Sequence, residues 1–427
     1  MTPSAALIER EQRHLACGVS EEAQQGGRVY ASGRGTLLQD LEGRQVLDFA
    51  AGILTQSIGH AHPEVVAALQ AQAEALWNVH DCATPRRAAL LERLAALLPP
   101  QLNKFALLST GAEAVEAALR AVWSAAAPGR QRLGALRYGF HGKSQGARSL
   151  VHWEVGQQPP APSSVLAYAP HCYRCPLELN YPSCELRCAK LAARHIARAN
   201  VAALVAEPVL GAAGVIVPPP GYWPLLQAAC RAEGVLLVAD EVLTGGGRCG
   251  SFLASTRLGL QPDLVTLAKG LASGFPFAVL AGPARLMDAG AFGAPGSSSS
   301  TFASNPLGIA AAGDTLTVIE REQLIDRVLA LEGRLGEGLR ALQAQHPRLG
   351  DVRGIGLLWG LEFVQDRASR TPDPALARAV AARCLDEGLR LLPGGAVLRL
   401  APPFTVLESE LSEALAILAR VLRELGA

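Results

Sequence analysis

The 427-residue sequence predicts an α/β protein, with one large, mostly parallel sheet covered by helices on both faces and a smaller, discontinuous α+β domain. Short apolar runs recur through the middle of the chain, each bounded by helix or turn signals, as is typical of buried parallel strands. Hydrophobic residues make up 49% of the sequence and charged residues 18%, so the chain can bury a large core. After residue 310, long helical patterns alternate with isolated strand signals, which indicates a second unit.

The individual elements follow from hydrophobic periodicity and from the placement of glycine and proline. The predicted strands are residues 37–41, 45–49, 105–108, 201–206, 235–239, 264–268 and 396–400, and the predicted helices are residues 112–125, 320–345, one from 374 and one from 408. We expect the strands of the first 50 residues to pack with the C-terminal unit. The predicted domains are therefore 1–50 (N-terminal part of the small domain), 51–310 (large cofactor-binding domain) and 311–427 (C-terminal small domain).

Charge and cysteine content exclude several classes of protein. Lys and Arg number 39 against 38 Asp and Glu, so the balanced charge argues against nucleic acid or a membrane surface as the partner. The most apolar stretch, 201–217, contains Glu207 and Pro208 in its middle, which argues against a membrane span. Nine cysteines are an odd number, and a chain of this length needs no disulfides. We expect a cytoplasmic protein whose apolar surface is partly covered by a second subunit.

Two apolar strands end in residues that could perform chemistry. Lys269 follows the run 264–268, at the sheet edge where open α/β sheets bind ligands, and desolvation there would make its amine a nucleophile able to form a Schiff base. Asp240 ends the run 235–239 and could pair with a protonated pyridine nitrogen. Taken singly, each residue has an ordinary interpretation: a lysine reaching solvent, or a carboxylate capping a turn.

Two further segments carry residues that could bind a phosphate and stack on an aromatic ring. Residues 109–114 form a strand–turn–helix junction in which Thr110, Gly111 and Ala112 offer free backbone N–H groups to a phosphate, although a simple capping box has the same pattern. Phe140 follows a short strand and is suited to stacking on a heteroaromatic ring. A phosphate cradle, a ring stacker, a pyridinium partner and a Schiff-base lysine, all at strand ends, together predict pyridoxal 5′-phosphate (PLP) as the cofactor.

These and other segments resemble the class III aminotransferases of PLP fold type I, which include the 4-aminobutyrate, ornithine and acetylornithine aminotransferases. The resemblance covers nearly the whole chain. The matching segments are GHAHP at 59–63, TGAEA at 110–114, FHG at 140–142, EPV at 207–209, DEV at 240–242, NP at 305–306 and RLAPP at 399–403.

The resemblance implies a role for each matching residue. It implies that Lys269 carries the Schiff base and moves the proton between substrate and cofactor, and that Asp240 forms a salt bridge to the pyridinium. The other implied cofactor contacts are Thr110, Gly111 and Ala112 at the phosphate, Phe140 and Val242 on the two ring faces, His141 and Glu207 beside the cofactor, and Thr301 reaching the phosphate of a neighbouring subunit. Arg399 is the implied clamp for an α-carboxylate, which Glu207 masks when an ω-amine is bound.

The sequence departs from the family pattern at two positions that affect specificity. Leu243 replaces the glutamine that usually touches the cofactor's phenolic oxygen. Lys143 stands where an arginine commonly holds a distal carboxylate, and an ammonium cannot form the bidentate contact of a guanidinium. Lys143 remains a candidate substrate-binding residue, but a 4-aminobutyrate-type substrate is less strongly favoured.

Four of the nine cysteines lie within one short segment, with the spacing Cys172-x2-Cys175-x8-Cys184-x3-Cys188. Such a set could hold Zn²⁺ or an iron–sulfur cluster. The gap between the pairs is shorter than in a zinc ribbon, and the prolines nearby indicate a surface loop. We therefore predict no metal.

The sequence as a whole predicts a homodimeric or larger PLP-dependent transaminase. It would move an amino group from an ω-amino acid, a diamine or an amino acid to a 2-oxo acid such as 2-oxoglutarate or pyruvate. One alternative is a racemase or epimerase, because the same lysine chemistry can return the proton to the opposite face of Cα. The other is a metal-bearing redox or sensor protein that has kept the fold without the chemistry.

Overall fold

The computed structural model describes residues 3–16, 18, 28–151 and 164–427, which form fifteen strands in three sheets, with helices around them. The strands are β1 (Tyr30–Arg34), β2 (Leu37–Asp40), β3 (Gln45–Asp48), β4 (Lys104–Leu108), β5 (Arg132–Leu136), β6 (Ser164–Ala167), β7 (Val201–Ala206), β8 (Leu236–Asp240), β9 (Leu264–Leu267), β10 (Ala278–Gly282), β11 (Leu349–Ile355), β12 (Leu358–Phe363), β13 (Leu389–Arg390), β14 (Leu392–Gly394) and β15 (Val397–Leu400).

Most helices lie between these strands in the chain. The α-helices are Pro3–Gln12, Ala51–Leu54, Pro63–Ala75, Pro85–Leu97, Gly111–Ala125, Gln145–Arg148, Arg187–Ala199, Tyr222–Ala232, Ala254–Arg257, Ala284–Met287, Pro306–Arg321, Leu324–Gln345, Pro374–Asp386 and Glu408–Glu424, and Lys269–Ala272 and Gly290–Phe292 are 3₁₀ turns. None of the helices in the described ranges is long and apolar enough to cross a membrane.

The central sheet has the strand order β4-β10-β9-β8-β7-β5-β6. The pairs β5–β6, β5–β7, β7–β8 and β8–β9 are parallel, whereas β10 runs antiparallel to both β9 and β4. The predicted fold class, with its mostly parallel sheet, is confirmed. The sequence prediction did not include β10. It also could not have given the antiparallel direction of this strand, because an apolar run does not reveal the direction of the strand that it forms.

The sheet is covered on both faces. Along β7 all six residues are buried, and they divide between two hydrophobic clusters: Leu204 and Ala206 belong to one, and Ala203 and Val205 to the other. This division explains why the strand is a continuous apolar run without alternation. Because the parallel strands share one direction, the residues that follow β4, β5, β7, β8 and β9 all emerge at the same edge of the sheet.

Two four-stranded sheets lie outside the central one. The first, β1-β2-β3-β13, joins the N-terminal segment to the C-terminal part of the chain through parallel pairing of β13 with β3. The second, β11-β12-β15-β14, is antiparallel throughout and carries Arg399 on β15.

The predicted helix at 320–345 is wrong at its start. The structure has one helix ending at Arg321 and a second beginning at Leu324, with Gln323 between them at a left-handed φ of +49°. Helical periodicity continues across this junction, so the hydrophobic pattern alone did not reveal the break. The other predicted elements lie within a few residues of observed ones.

Candidate active site

A cavity of about 1050 Å³ opens at the carboxyl edge of the central sheet. Its walls come from the loops after the parallel strands and from β15 of the small antiparallel sheet. Almost all of the predicted site residues line this cavity: Thr110, Gly111, Ala112, Phe140, His141, Lys143, Glu207, Asp240, Val242, Lys269 and Arg399. The exception is Thr301, which is exposed, lies outside it and accepts a 3.0 Å hydrogen bond from Asn78 Nδ2 at its carbonyl oxygen.

Asp240 is a buried carboxylate held in one orientation. Its Oδ2 atom lies 2.7 Å from His141 Nδ1, and its Oδ1 atom accepts hydrogen bonds from the Val242 backbone N–H (3.1 Å) and the Thr266 hydroxyl (3.2 Å). Burial by itself would lower the pKa of His141, but the hydrogen bond and charge of Asp240 outweigh burial and raise it. His141 Nε2 is buried and has no partner among the described residues. The pair therefore holds the Asp240 carboxylate in one orientation at the cavity wall.

Lys269 projects its amine into the same cavity from an unusual backbone conformation. It lies two residues beyond β9 at a φ of +46°, a left-handed value that costs a non-glycine residue conformational energy. Burial lowers the pKa of the Lys269 amine and the nearby Arg399 lowers it further, while Asp240 and Glu207 oppose the shift. A lysine with a lowered pKa has a larger neutral fraction, which is the form that acts as nucleophile or base.

The turn before helix Gly111–Ala125 is a capping box. The Thr110 hydroxyl accepts the Glu113 N–H at 3.2 Å, and Glu113 Oε2 accepts the N–H of Thr110 at 2.9 Å. A Cβ atom on Gly111 would come within 2.8 Å of Val242, so glycine permits this close packing. The helix N-terminus therefore lies directly against Val242, with its positive end at the cavity.

Glu207 lies at the end of β7 and is 4% exposed. Its two carboxylate oxygens accept the backbone N–H groups of Phe140 (3.0 Å) and Gly211 (2.9 Å). Burial raises the pKa of Glu207 to about 7, although the nearby His141 and both N–H groups act in the opposite direction. Glu207 thus connects the segment that carries Phe140 to the loop after β7.

Arg399 faces the cavity from β15 without a salt bridge to any of the described carboxylates, and its Nε atom is buried without a hydrogen-bond partner there. Burial lowers the pKa of Arg399 to about 10, and Glu207 partly opposes this shift. Lys143 also lines the cavity but is exposed. Of these two predicted substrate-binding cations, only Arg399 is desolvated.

Sequence reasoning missed a polar group on one wall of the cavity. His171, Arg174 and Glu362 line it, and Arg174 Nε donates to Glu362, which also accepts a hydrogen bond from Arg353 at 2.6 Å. Burial lowers the pKa of His171 to about 4, so its ring is neutral near pH 7. Arg174 could have been noticed in the sequence, because it lies between Cys172 and Cys175 in the cysteine-rich segment.

The one close group of possible metal ligands in the described part of the chain is His62, Glu64 and Glu322. Arg321 binds both glutamates, at 2.6 Å and 2.8 Å, so these carboxylates already have a cation. Cys172, Cys175, Cys184 and Cys188 instead line a second, small cavity beside the first, and none of the eight described cysteines forms a disulfide.

The sequence matches the family model described as Aminotransferase class-III over residues 19–422. The chain belongs to the class III aminotransferases. Similar proteins include the 5-aminovalerate aminotransferase DavT of Pseudomonas putida (strain KT2440), 37% identical over 401 residues that cover 91% of each chain. They also include the 4-aminobutyrate aminotransferase GabT of Escherichia coli (strain K12), 35% identical over 400 residues that cover 90% of this chain and 91% of that protein.

A solved structure with the same fold is the PLP-bound amine transaminase from an uncultivated Pseudomonas species. It superposes with a TM-score of 0.89 and 32% identity, over 95% of this chain and 97% of that one. The predicted family, reaction class and cofactor are confirmed: this class III enzyme is a PLP-dependent aminotransferase that uses an amino donor and a 2-oxo acid. None of the similar proteins described here is named a racemase, and the racemase alternative has no support.

The cavity is chemically suited to PLP. Asp240 is a fixed, buried carboxylate that can pair with a protonated ring nitrogen, and the unpartnered His141 Nε2 lies beside it. The start of helix Gly111–Ala125 offers backbone N–H groups to a phosphate. Lys269 supplies a desolvated amine. The ring nitrogen, the phosphate and the aldehyde carbon of the cofactor therefore each have a matching group in this cavity.

Proposed function

We propose that this aminotransferase accepts an ω-amino acid as donor and a 2-oxo acid, 2-oxoglutarate or pyruvate, as acceptor. The observation that carries the proposal is the presence of Arg399 and Glu207 in one cavity, with the guanidinium free of any salt bridge to the described carboxylates. The names of two relatives, which act on 4-aminobutyrate and 5-aminovalerate, support the same donor class.

Bound PLP supplies an electron sink for negative charge at the carbon that carries the amino group. Lys269 would hold and move the proton released at that carbon, because its amine has a lowered pKa and lies in the cavity. Asp240 would keep the ring nitrogen protonated, and His141 holds Asp240 in position. Phe140 and Val242, which line the same cavity, would contact the ring.

Thr110, Gly111 and Ala112 at the helix N-terminus would bind the phosphate, and Thr301 of a neighbouring subunit would complete that site. The position of Thr301 outside its own cavity supports this arrangement, and with it a homodimer. We also propose the domain boundaries 1–50, 51–310 and 311–427, which the pairing of β13 with β3 supports. The unpaired described cysteines favour a reducing compartment such as the cytoplasm.

The charges of Arg399 and Glu207 would let one cavity accept both α-amino acids and ω-amines. An α-amino acid or 2-oxo acid brings a carboxylate to Arg399, whereas an ω-amine brings none and would leave a buried, unpaired cation. Glu207 is close enough to oppose the pKa shift of Arg399, and it moves from its contacts with Phe140 and Gly211 to neutralise the guanidinium in the ω-half-reaction.

Single-turnover kinetics of the two half-reactions test this proposal. Glu207→Gln removes the charge and keeps a hydrogen-bond acceptor, so we expect it to slow the reaction with 5-aminovalerate while sparing the reaction with glutamate or alanine. Arg399→Ala should weaken the binding of the α-amino acid and of the 2-oxo acid. The expected loss of binding free energy is about 2–5 kcal/mol, the range for truncating one partner of a buried charge pair. The control is Arg378→Ala, which removes an exposed arginine of the same cavity. Equal losses in both half-reactions for Glu207→Gln would contradict the proposal.

A further inference from the structure

One wall of the active-site cavity carries a polar cluster that the cofactor chemistry does not use. It consists of His171, Arg174, Arg353 and Glu362, and we call it the distal cluster. His171 and Arg174 follow β6 and line the cavity together with Glu362 of β12, and Arg353 lies on the neighbouring strand β11. The side chain of Glu362 is 3% exposed and accepts hydrogen bonds from both arginines. The distal cluster therefore joins the loop after β6 to the small antiparallel sheet.

Both guanidinium groups of the distal cluster are held in place, and each keeps a nitrogen without a partner. Arg174 donates from Nε to Glu362 and from Nη1 to the carbonyl oxygen of Arg370 at 2.6 Å. Arg353 donates from Nε to the carbonyl oxygen of Gly214 at 2.9 Å and from Nη1 to Glu362 at 2.6 Å. The Nη2 atoms of Arg174 and Arg353 are buried and have no hydrogen-bond partner in the described part of the chain.

His171 adds a third nitrogen without a partner. Its Nε2 atom is buried and makes no hydrogen bond to any described residue. Burial, together with the charges of Arg353 and Arg174, keeps the ring neutral near pH 7, and a neutral imidazole with its proton on Nε2 donates one hydrogen bond. Buried donors without partners cost free energy, which a ligand oxygen that accepts from them recovers. Three such nitrogens in one cluster at the cavity wall favour a ligand with acceptor oxygens.

The distal cluster and the reacting end of the cavity have separate electrostatic surroundings. The charged groups that shift the pKa of Lys269 are Asp240, Glu207 and Arg399. The charged groups that shift the pKa of His171 are all members of the distal cluster. The two sets have no member in common, although Lys269 and His171 line the same cavity. A substrate whose reacting carbon is at Lys269 would therefore meet the distal cluster with its far end.

We propose that His171 and Arg174 bind the carboxylate at the far end of the substrate. This is the carboxylate of an ω-amino acid in one half-reaction and the distal carboxylate of 2-oxoglutarate in the other, so the inference rests on the substrates proposed above. A guanidinium and a neutral N–H donor together suit a carboxylate. A diamine is disfavoured, because Glu362 already accepts from two arginines. The inference also favours 2-oxoglutarate over pyruvate, which has no second carboxylate.

The acceptor half-reaction gives the first test. The protein loaded with pyridoxamine phosphate is mixed with 2-oxoglutarate or with 2-oxopentanoate, which has the same chain length but no distal carboxylate. Single-turnover rates at several concentrations give an apparent Kd for each. We expect the wild-type protein to prefer 2-oxoglutarate by at least about tenfold, as for a site that hydrogen-bonds a charged group. Arg399 meets the same carboxylate in both compounds, so its contribution cancels.

Two variants assign that preference to residues. Arg174→Gln removes the charge but keeps an N–H group for Glu362, and we expect it to lose most of the preference. His171→Phe removes the donor but keeps an aromatic ring beside Tyr138, whose ring centroid lies 6.2 Å from that of His171, and it should lower the preference several-fold. The control is Arg370→Gln, the same change at an exposed arginine outside the cavity, and it should leave the preference unchanged.

The donor half-reaction gives an independent comparison between 5-aminovalerate, pentylamine and the diamine cadaverine, which share one chain length. We expect 5-aminovalerate to bind best in the wild-type protein and to lose this advantage in Arg174→Gln. If 5-aminovalerate does not react at all, the proposed donor is wrong, and the acceptor comparison alone decides on the distal cluster. An unchanged preference for 2-oxoglutarate in both variants would overturn the inference. So would equal losses for 2-oxoglutarate and 2-oxopentanoate, or a wild-type preference for cadaverine over 5-aminovalerate.

Discussion

At the scale of single residues, Lys269 differs from a surface lysine in its backbone and in its charge. Its φ of +46° and its lowered pKa are both imposed by the surrounding structure. We expect Lys269→Ala to keep the fold and PLP content but to lose at least 10²–10⁴-fold in turnover, about what positioned proton transfer contributes. The measurement is the single-turnover rate with each donor, together with the visible spectrum of the bound cofactor. Lys104→Ala, at an exposed lysine paired with Asp288, is the control. Near-normal turnover in Lys269→Ala would contradict its catalytic role.

At the scale of elements, a buried ion-pair cluster ties the N-terminal sheet to β13. Asp48, at the end of β3, has no exposed side-chain surface and binds Arg390 (2.9 Å) and His60 (2.7 Å). Its carboxylate also accepts the backbone N–H groups of Ala50 and Gly52. Because Arg390 belongs to β13, this cluster joins two segments that are far apart in the sequence.

We expect Asp48→Ala to lower the free energy of unfolding by about 3–5 kcal/mol, because it removes a fully buried carboxylate that binds Arg390, His60 and two backbone N–H groups. The control is Asp81→Ala, which removes a half-exposed carboxylate paired with His80 and should cost about 0–1 kcal/mol. Urea titration of the PLP-loaded protein at several pH values is the measurement. If Asp48→Ala lowers the free energy of unfolding no more than Asp81→Ala does, the ion-pair cluster does not stabilise the pairing of β3 with β13.

The pH dependence of this effect has a definite sign. Burial would raise the pKa of Asp48, but the hydrogen bond from His60 and the charge of Arg390 outweigh it and lower the pKa. A carboxyl whose folded pKa is depressed stabilises the protein above its unfolded pKa, and this contribution is lost as the pH falls through the folded pKa. The difference in the free energy of unfolding between the wild-type protein and Asp48→Ala should therefore become smaller as the pH falls into the acid range.

At the scale of the whole molecule, the chain leaves apolar surface exposed near Thr301. Trp77 and Phe302 are each 65% exposed, and the hydrogen bond between Asn78 and Thr301 brings their segments together. Large exposed aromatic side chains in one place are typical of an interaction surface. This is the surface through which we propose that Thr301 reaches the phosphate site of a second subunit.

Mixed dimers test that arrangement. Thr301→Asp should inactivate a homodimer, because it puts a negative charge beside both phosphates, and Lys269→Ala also inactivates a homodimer. If Thr301 acts in the neighbouring subunit, a dimer of one Thr301→Asp chain and one Lys269→Ala chain regains one working site, with about half of the wild-type activity. Inactive mixed dimers, or a fully active monomer in sedimentation, would show that Thr301 does not complete a second subunit's site.

The sequence by itself determined the fold class, the family and the positions of Lys269, Asp240 and Thr110. These depend on local patterns, namely apolar runs that end in a polar residue or a glycine turn, and parallel strands bring such ends to one edge. The tertiary structure alone decided the antiparallel direction of β10, the break at Gln323 and the gathering of Cys172, Cys175, Cys184 and Cys188 around one space. These features depend on contacts between residues far apart in the chain, or on the direction in which side chains point. Hydrophobic periodicity records which residues are buried, but not which partners they meet.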